Sequence, residues 1–341
     1  MTNRRALLGG AAILGSLGFA RAAWSRWEAV AAVPHDMRSW QLYLPLEFSS
    51  TLMLRLLRLL PPPDPADAIV PGVDVDKRSV PGPDGQGPVE VYVYDTPGRQ
   101  RPAGALLWIH GGGYVAGDPI TSHRVCSGIA GQLGIVVINV GYRLAPEHPF
   151  PAGLDDCYAA LRWLHERADD LGVDVGRIAV GGESAGGGLA AALAQLAYDR
   201  AEVPVCLQLL VYPMLDDRTV LDQTRPKTLV WSPTSNRFGW TAYLGHPPRL
   251  REDRPYAVPA RRDDLNGLPP AWIGVGDLDL FHDEDVAYAE RLQAAGVDCQ
   301  VEVVSGMYHG AYGMAPLDSP TVNAFRVSAV QALDRALNDQ G

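Results

Sequence analysis

The sequence is short of the side chains that hold metals or staple small folds. Its 341 residues contain four cysteines, Cys126, Cys157, Cys206 and Cys299, scattered and without a CxxC pair. That excludes a dense disulfide framework and gives no cysteine-based zinc site; the four read as small buried apolar residues, and only a single disulfide among them stays open. Positive charge is also scarce: 29 Lys and Arg stand against 39 Asp and Glu, a net charge of −10. A surface that acidic repels phosphate backbones, so nucleic acid is not an expected partner. There is no fixed-period repeat and no long single-residue tract. What the chain does have is 47% hydrophobic and 20% charged residues, which points to a large packed core rather than disorder. Its length suits one large α/β domain, taken here as residues 35–341.

The amino terminus, from Met1 to Trp24, differs in character. Arg4 and Arg5 precede an uncharged run from Ala6 to Ala20, and an A-x-A site follows at Ala20-Arg21-Ala22. This is the pattern of a twin-arginine secretory signal over residues 1–22, with Ala23 as the first mature residue. The run is short for a membrane span. Export to the periplasm is the expectation; a retained N-terminal anchor and a cytoplasmic protein are the alternatives.

From Ser39 to Leu60 apolar clusters alternate with Arg55 and Arg58, and Pro61-Pro62-Pro63 follow. The spacing predicts an N-terminal helical cap, with residues 35–63 acting as a lid or a membrane-surface helix; ordinary core packing is the alternative. VDVDKRSV and VEVYVYD, separated by PGPDGQGP, predict an antiparallel hairpin. From Ala105 the rhythm becomes strand, loop, helix. ALLWIH, IVVINVGY, RIAVGG, CLQLLVY, AWIGVG and CQVEVVSG are continuous apolar runs, as expected of strands covered on both faces of a mostly parallel sheet. LDDCYAALRWLHERADDLG, the stretch after Ser184 and DEDVAYAERLQAAG supply helices. Residues 216–262, rich in Pro, Arg and Trp, break the rhythm and read as an insertion covering the sheet's edge.

The informative stretch is RIAVGGESAGGGLAAALAQL. Strand residues run straight into Ser184, and a helix leaves it. Gly182-Glu183-Ser184-Ala185-Gly186 is GxSxG, and a strand-to-helix turn this sharp tolerates only small neighbours. It would present the Ser184 hydroxyl above the carboxyl edge of the sheet. A serine needs a base, and His309, between Gly306 and Gly310 after the last apolar strand, is the candidate. The imidazole needs a carboxylate. Asp277, Asp279, Asp283 and Asp285 compete after AWIGVG; Asp279 on the loop is preferred, with Asp277 in reserve, because Asp283 and Asp285 fall where a helix begins. His110-Gly111-Gly112-Gly113 follows a strand directly. The N–H groups of Gly111, Gly112 and Ala185 are the expected oxyanion hole, and His110 the brace of that loop.

HGGGY, GESAGG, YRLAPEHPFPAGLDD, DLDLFHDEDVAYAERL and GMYHGAYG together resemble the hormone-sensitive-lipase-like esterases of the α/β-hydrolase superfamily, from about Val89 onward. The resemblance implies an α/β-hydrolase fold and a serine hydrolase of carboxylic esters with short or medium acyl chains. It implies no cofactor and no metal, and a small-molecule ester as substrate. Leu280 and Phe281 depart from the usual Pro-Leu, and Glu183 stands where aspartate is commoner. Tyr142, Arg143 and Glu147 read as scaffolding of the active-site loops. The alternatives are an amidase or deacetylase on a small metabolite and a non-catalytic small-molecule receptor. A homodimer and a weak membrane-surface contact through the N-terminal helix complete the expectations.

Overall fold

The computed structural model describes residues 25–44, 47–59, 68–83, 85–222 and 228–338. The secretory signal expected over residues 1–22, and the prolines at 61–63, lie outside the described residues. Among the described residues no helix is long and apolar enough to cross a membrane.

Eight strands form one sheet in the order β1-β2-β4-β3-β5-β6-β7-β8. The predicted hairpin is β1 (Asp74–Val80) against β2 (Val89–Asp95), antiparallel. β2 pairs antiparallel with β4 (Val136–Gly141), and from there every pairing is parallel: β3 (Ala103–Ile109), β5 (Val173–Glu183), β6 (Leu207–Val211), β7 (Ala271–Gly276) and β8 (Cys299–Val304). The six continuous apolar runs of the sequence are these six strands.

Their continuity has the cause anticipated for it. Along β3, Ala105, Leu107 and Ile109 join one buried cluster, while Leu106 and Trp108 join another across the sheet. Side chains alternate between faces, so a strand covered on both sides must be apolar at every position. The first face is covered by α3 (Ala152–Glu166), α4 (Ala185–Arg200) and α6 (His282–Ala294). The second is covered by α2 (His123–Leu133) and α7 (Pro320–Leu337). Cys126, Cys157 and Cys299 are buried, and all four cysteines are free thiols.

One expectation is corrected. The span 39–60 is not a single helix. A 3-10 turn over Trp40–Tyr43 gives way to irregular chain, and α1 occupies only Thr51–Arg58. Leu44 is extended, with ψ at 125°, because the ring of the following Pro45 disfavours helical angles in the residue before it. The apolar spacing in the sequence runs on past the point where the helical backbone stops.

This N-terminal cap crosses the carboxyl edge of the sheet. At one end the Tyr308 hydroxyl donates to the Met37 carbonyl at 3.2 Å. At the other, the Arg58 guanidinium donates to the carbonyls of Val115 and Ala145 and pairs with Glu147 at 2.9 Å. Within residues 216–262, α5 (Pro233–Leu244) contributes Trp240 and Tyr243, which pack on Tyr114 just beyond β3. Phe48 of the cap joins this layer, its N–H donating to Ser235 Oγ at 2.9 Å and its ring 5.7 Å from that of Trp231.

Candidate active site

Ser184 sits between β5 and α4 with φ 56° and ψ −121°, a left-handed backbone that an L-residue rarely adopts. The strain is held from both sides: its N–H donates to the Val211 carbonyl at 2.9 Å, and its carbonyl accepts from Met214 and Gly188 at 2.9 and 3.0 Å. The glycines around it answer to steric need. A Cβ on Gly186 would stand 2.0 Å from the Ile109 carbonyl oxygen, so the start of α4 packs directly on the end of β3. The first three turns of α4, rich in Ala, Gly and Leu, are buried from Ala185 to Ala197.

His309 lies on the loop after β8, and Asp279 on the loop after β7. The two loops are bonded together, with Leu278 N–H donating to the Met307 carbonyl at 3.2 Å. The result brings three distant segments into line. His309 Nε2 is 2.9 Å from Ser184 Oγ, and His309 Nδ1 is 2.8 Å from Asp279 Oδ2. The other oxygen of Asp279 accepts from the Phe281 N–H at 2.9 Å. All three side chains are buried. With Nδ1–H pointing at a carboxylate, Nε2 is left as the acceptor facing the hydroxyl.

The competing acids go elsewhere. Asp277 is exposed and accepts from Ser305 Oγ at 2.9 Å and the Gly306 N–H at 2.6 Å, fastening the turn after β8. Asp283 is on the surface with its carboxylate 2.8 Å from His282 Nδ1. Asp285 is fully buried, neither oxygen has a hydrogen-bond partner among the described residues, and burial pushes its carboxyl well above the usual range. Beside it Glu284, also buried, accepts from the N–H groups of Leu215 and Asp216 and from the Thr219 hydroxyl. Burial pushes Glu284 up to about 8.

The loop after β3 faces Ser184. A Cβ added to Gly111 would come within 3.4 Å of Ser184 Cβ, and Gly112 takes a φ of +123° that favours glycine. Beside this loop the Glu183 carboxyl is raised by burial and held back by the Tyr212 hydroxyl donating to it at 3.0 Å. Gly111 and Gly112 on this loop, and Ala185 as the first residue of α4, carry the N–H groups expected from the sequence to form the oxyanion hole. His110 braces the loop as expected, its Nδ1–H donating to the Gly111 carbonyl at 2.7 Å and its ring stacked 4.5 Å from Tyr142. Burial lowers its pKa to about 4, so it is neutral at physiological pH.

The scaffolding residues also fall into place. The Tyr142 hydroxyl donates to the His110 carbonyl at 3.1 Å, and Arg143 grips the buried Asp156 with backbone N–H and guanidinium at 2.8 Å. Three aromatics surround His309 without any of them having been expected there: Tyr212 and Phe281 stand edge-on at 4.9 and 5.1 Å, and Trp231 lies 6.3 Å away. Each reaches the imidazole only through tertiary packing, so no local pattern signals it.

A serine on a strained strand-to-helix turn, bonded to a histidine and through it to an aspartate at the carboxyl edge of this sheet, defines an α/β-hydrolase. Residues 106–313 match the family model of the alpha/beta hydrolase fold. The chain is 38% identical over 291 residues to the carboxylesterase NlhH of Mycobacterium tuberculosis, covering 83% of this chain and 88% of that protein. It is 37% identical to the ethyl acetate hydrolase of Pseudomonas putida over 266 residues, covering 73% and 79%. The crystal structure of esterase LipW from Mycobacterium marinum superimposes with a TM-score of 0.79 at 32% identity, covering 91% of this chain and 97% of that one. The chain belongs to the hormone-sensitive-lipase-like carboxylesterases of the α/β-hydrolase superfamily, and it is an ester-hydrolysing enzyme acting on small-molecule esters.

Proposed function

We propose that Ser184 is the nucleophile, His309 the general base and then the general acid, and Asp279 the carboxylate that fixes the imidazole. The observation carrying this reading is the continuous relay of 2.9 and 2.8 Å hydrogen bonds from hydroxyl to imidazole to carboxylate. Ser184 Oγ attacks the ester carbonyl as its proton passes to His309 Nε2. The carbonyl oxygen becomes an anion held by the N–H groups of Gly111, Gly112 and Ala185. His309 returns the proton to the departing alcohol. Water then attacks the acyl-serine by the same route, releasing the carboxylic acid and restoring the hydroxyl. The reading of an amidase or deacetylase, and that of a receptor without chemistry, have no observation in their favour.

The preferred acyl group is short to medium. The ring of Trp231 supports this, because a Cβ on Gly113 would come within 2.0 Å of it, so the indole stands as a wall over the loop that faces Ser184. A chain-length series of p-nitrophenyl esters tests the proposal. The parent should favour acetate and butyrate over decanoate, and Trp231→Ala should shift that ratio toward the longer chain by at least about tenfold, the scale of one or two methylenes. An unchanged ratio would remove Trp231 from the acyl pocket.

Two further proposals concern the protein's setting. Residues 1–22 direct export by the twin-arginine route, on the strength of Arg4-Arg5 and the Ala20-Arg21-Ala22 site; N-terminal sequencing of the secreted protein should begin at Ala23. The enzyme assembles as a homodimer, for which the molar mass in solution is the check.

A further inference from the structure

Most helices of this protein turn apolar residues inward, as amphipathic surface helices do. α1 does the reverse. Leu52, Met53 and Leu56, with Leu59 just past the helix end, are 69%, 42%, 54% and 78% exposed. At about 100° per residue they share roughly a third of the helix circumference. The opposite side holds the fully buried Leu54 and the Arg58 guanidinium, which is fixed to the carbonyls of Val115 and Ala145. The outward direction of the leucines is therefore set by the anchoring of the other face. Trp40 and Tyr43, earlier in the same cap, are also mainly exposed.

The charge of this helix is opposite to that of the whole. α1 carries Arg55 and Arg58 and no acid, in a chain whose net charge is −10. An outward leucine stripe, exposed Trp and Tyr, and arginines on an otherwise acidic protein match the requirements of an anionic lipid surface. Leucines enter the acyl boundary, aromatics sit at headgroup level, and an arginine such as the exposed Arg55 meets phosphates. We propose that α1 docks the enzyme onto anionic phospholipid bilayers. The cap spans the carboxyl edge from the Tyr308–Met37 bond to the Arg58–Val115 bond, so docking turns the site's side of the molecule toward the membrane. Esters dissolved in the bilayer then meet Ser184 at a high local concentration.

The test uses the full chain and sucrose-loaded vesicles of phosphatidylcholine with and without phosphatidylglycerol. The parent should sediment with the vesicles containing phosphatidylglycerol and only weakly with phosphatidylcholine alone. The combined change Leu52→Ser, Leu56→Ser and Leu59→Ser should cut the bound fraction at least tenfold, and Arg55→Glu should weaken binding to the anionic vesicles alone. All four side chains are exposed, so turnover of a soluble p-nitrophenyl ester should stay at the parent rate and report correct folding. A parent that ignores both vesicles overturns the proposal. So does a triple variant that binds as the parent does, which would place the contact in the segment from Met1 to Trp24, left intact in that variant. A stripe that instead joins two copies would appear as a dimer dissolved by the triple change, with no vesicle binding.

Discussion

The Asp279→Asn exchange isolates what the carboxylate does, because the structure fixes which way the amide must turn. Asp279 Oδ1 accepts from the Phe281 N–H at 2.9 Å, and Oδ2 accepts from His309 Nδ1–H at 2.8 Å. An asparagine there can offer only one oxygen. Turned to satisfy His309, its NH₂ would meet the Phe281 N–H, two donors face to face in a buried site, at a cost of about 1–3 kcal/mol. Turned the other way, the oxygen keeps the Phe281 bond and the NH₂ faces Nδ1. The imidazole then carries its proton on Nε2, where it donates to Ser184 Oγ instead of accepting from it. The backbone N–H of Phe281 thus selects the tautomer that cannot act as a base. In Ser-His-Asp relays this exchange lowers kcat by about 10⁴, equivalent to about 5–6 kcal/mol of barrier. The assay is kcat on p-nitrophenyl butyrate, with the melting temperature as a check that the fold survives. Asp277→Asn is the companion variant: its carboxylate holds the exposed turn at Ser305 and Gly306 and should cost less than about tenfold. Activity within tenfold of the parent in Asp279→Asn, or an equal loss in the Asp277 variant, would refute the assignment.

Other consequences follow from packing and burial. Gly186→Ala would press a methyl 2.0 Å from the Ile109 carbonyl and 2.5 Å from that of His110; overpacking against backbone costs about 1–3 kcal/mol or more, and because it moves the loop facing Ser184, kcat should fall by about 10². Gly128→Ala, in α2 with nothing within 4 Å of the added carbon, should leave both the melting temperature and kcat at or slightly above parent values. Stability should fall as pH rises. Glu284 is pushed up to about 8 and Asp285 well above its usual range, both by burial, whereas in the unfolded chain both ionise near pH 4. Over the interval between, the folded protein holds protons the unfolded chain has lost, so their contribution is complete below about pH 4 and is lost toward pH 8 and beyond. Urea unfolding at about pH 6 and about pH 9 measures this, and Asp285→Ala should make the decline shallower; an equal decline would mean that Asp285 does not titrate with folding.

Legibility in the sequence follows the locality of the signal. The core strands are readable because two-sided burial makes them mainly apolar on both faces, as the alternation along β3 shows; β8, at the sheet's edge, keeps Gln300 and Glu302 and is only partly buried. Ser184 is readable because a strained turn flanked by glycines is written within a single short motif. His309 and Asp279 are readable from their place after strands, although choosing Asp279 among four acids takes geometry: Asp277 differs from it only in bonding Ser305 and Gly306 rather than His309. The cap looks like one helix in the sequence and is not: the backbone is already extended at Leu44, the residue before Pro45, although the apolar spacing runs on. The rings of Tyr212, Trp231 and Phe281 around His309 depend on contacts between segments far apart in the chain, for which no local pattern exists.

The most direct measurement is covalent. The parent, Ser184→Ala and His309→Ala proteins are treated with a fluorophosphonate, which loses fluoride as it bonds to an activated serine, and their intact masses are read beside their rates on p-nitrophenyl butyrate. The relay predicts a single adduct on Ser184 in the parent, none in Ser184→Ala, greatly slowed labelling in His309→Ala, and rates lowered in both variants by about 10⁴ to 10⁶. An adduct that persists in Ser184→Ala, or hydrolysis by that variant at the parent rate, would contradict it.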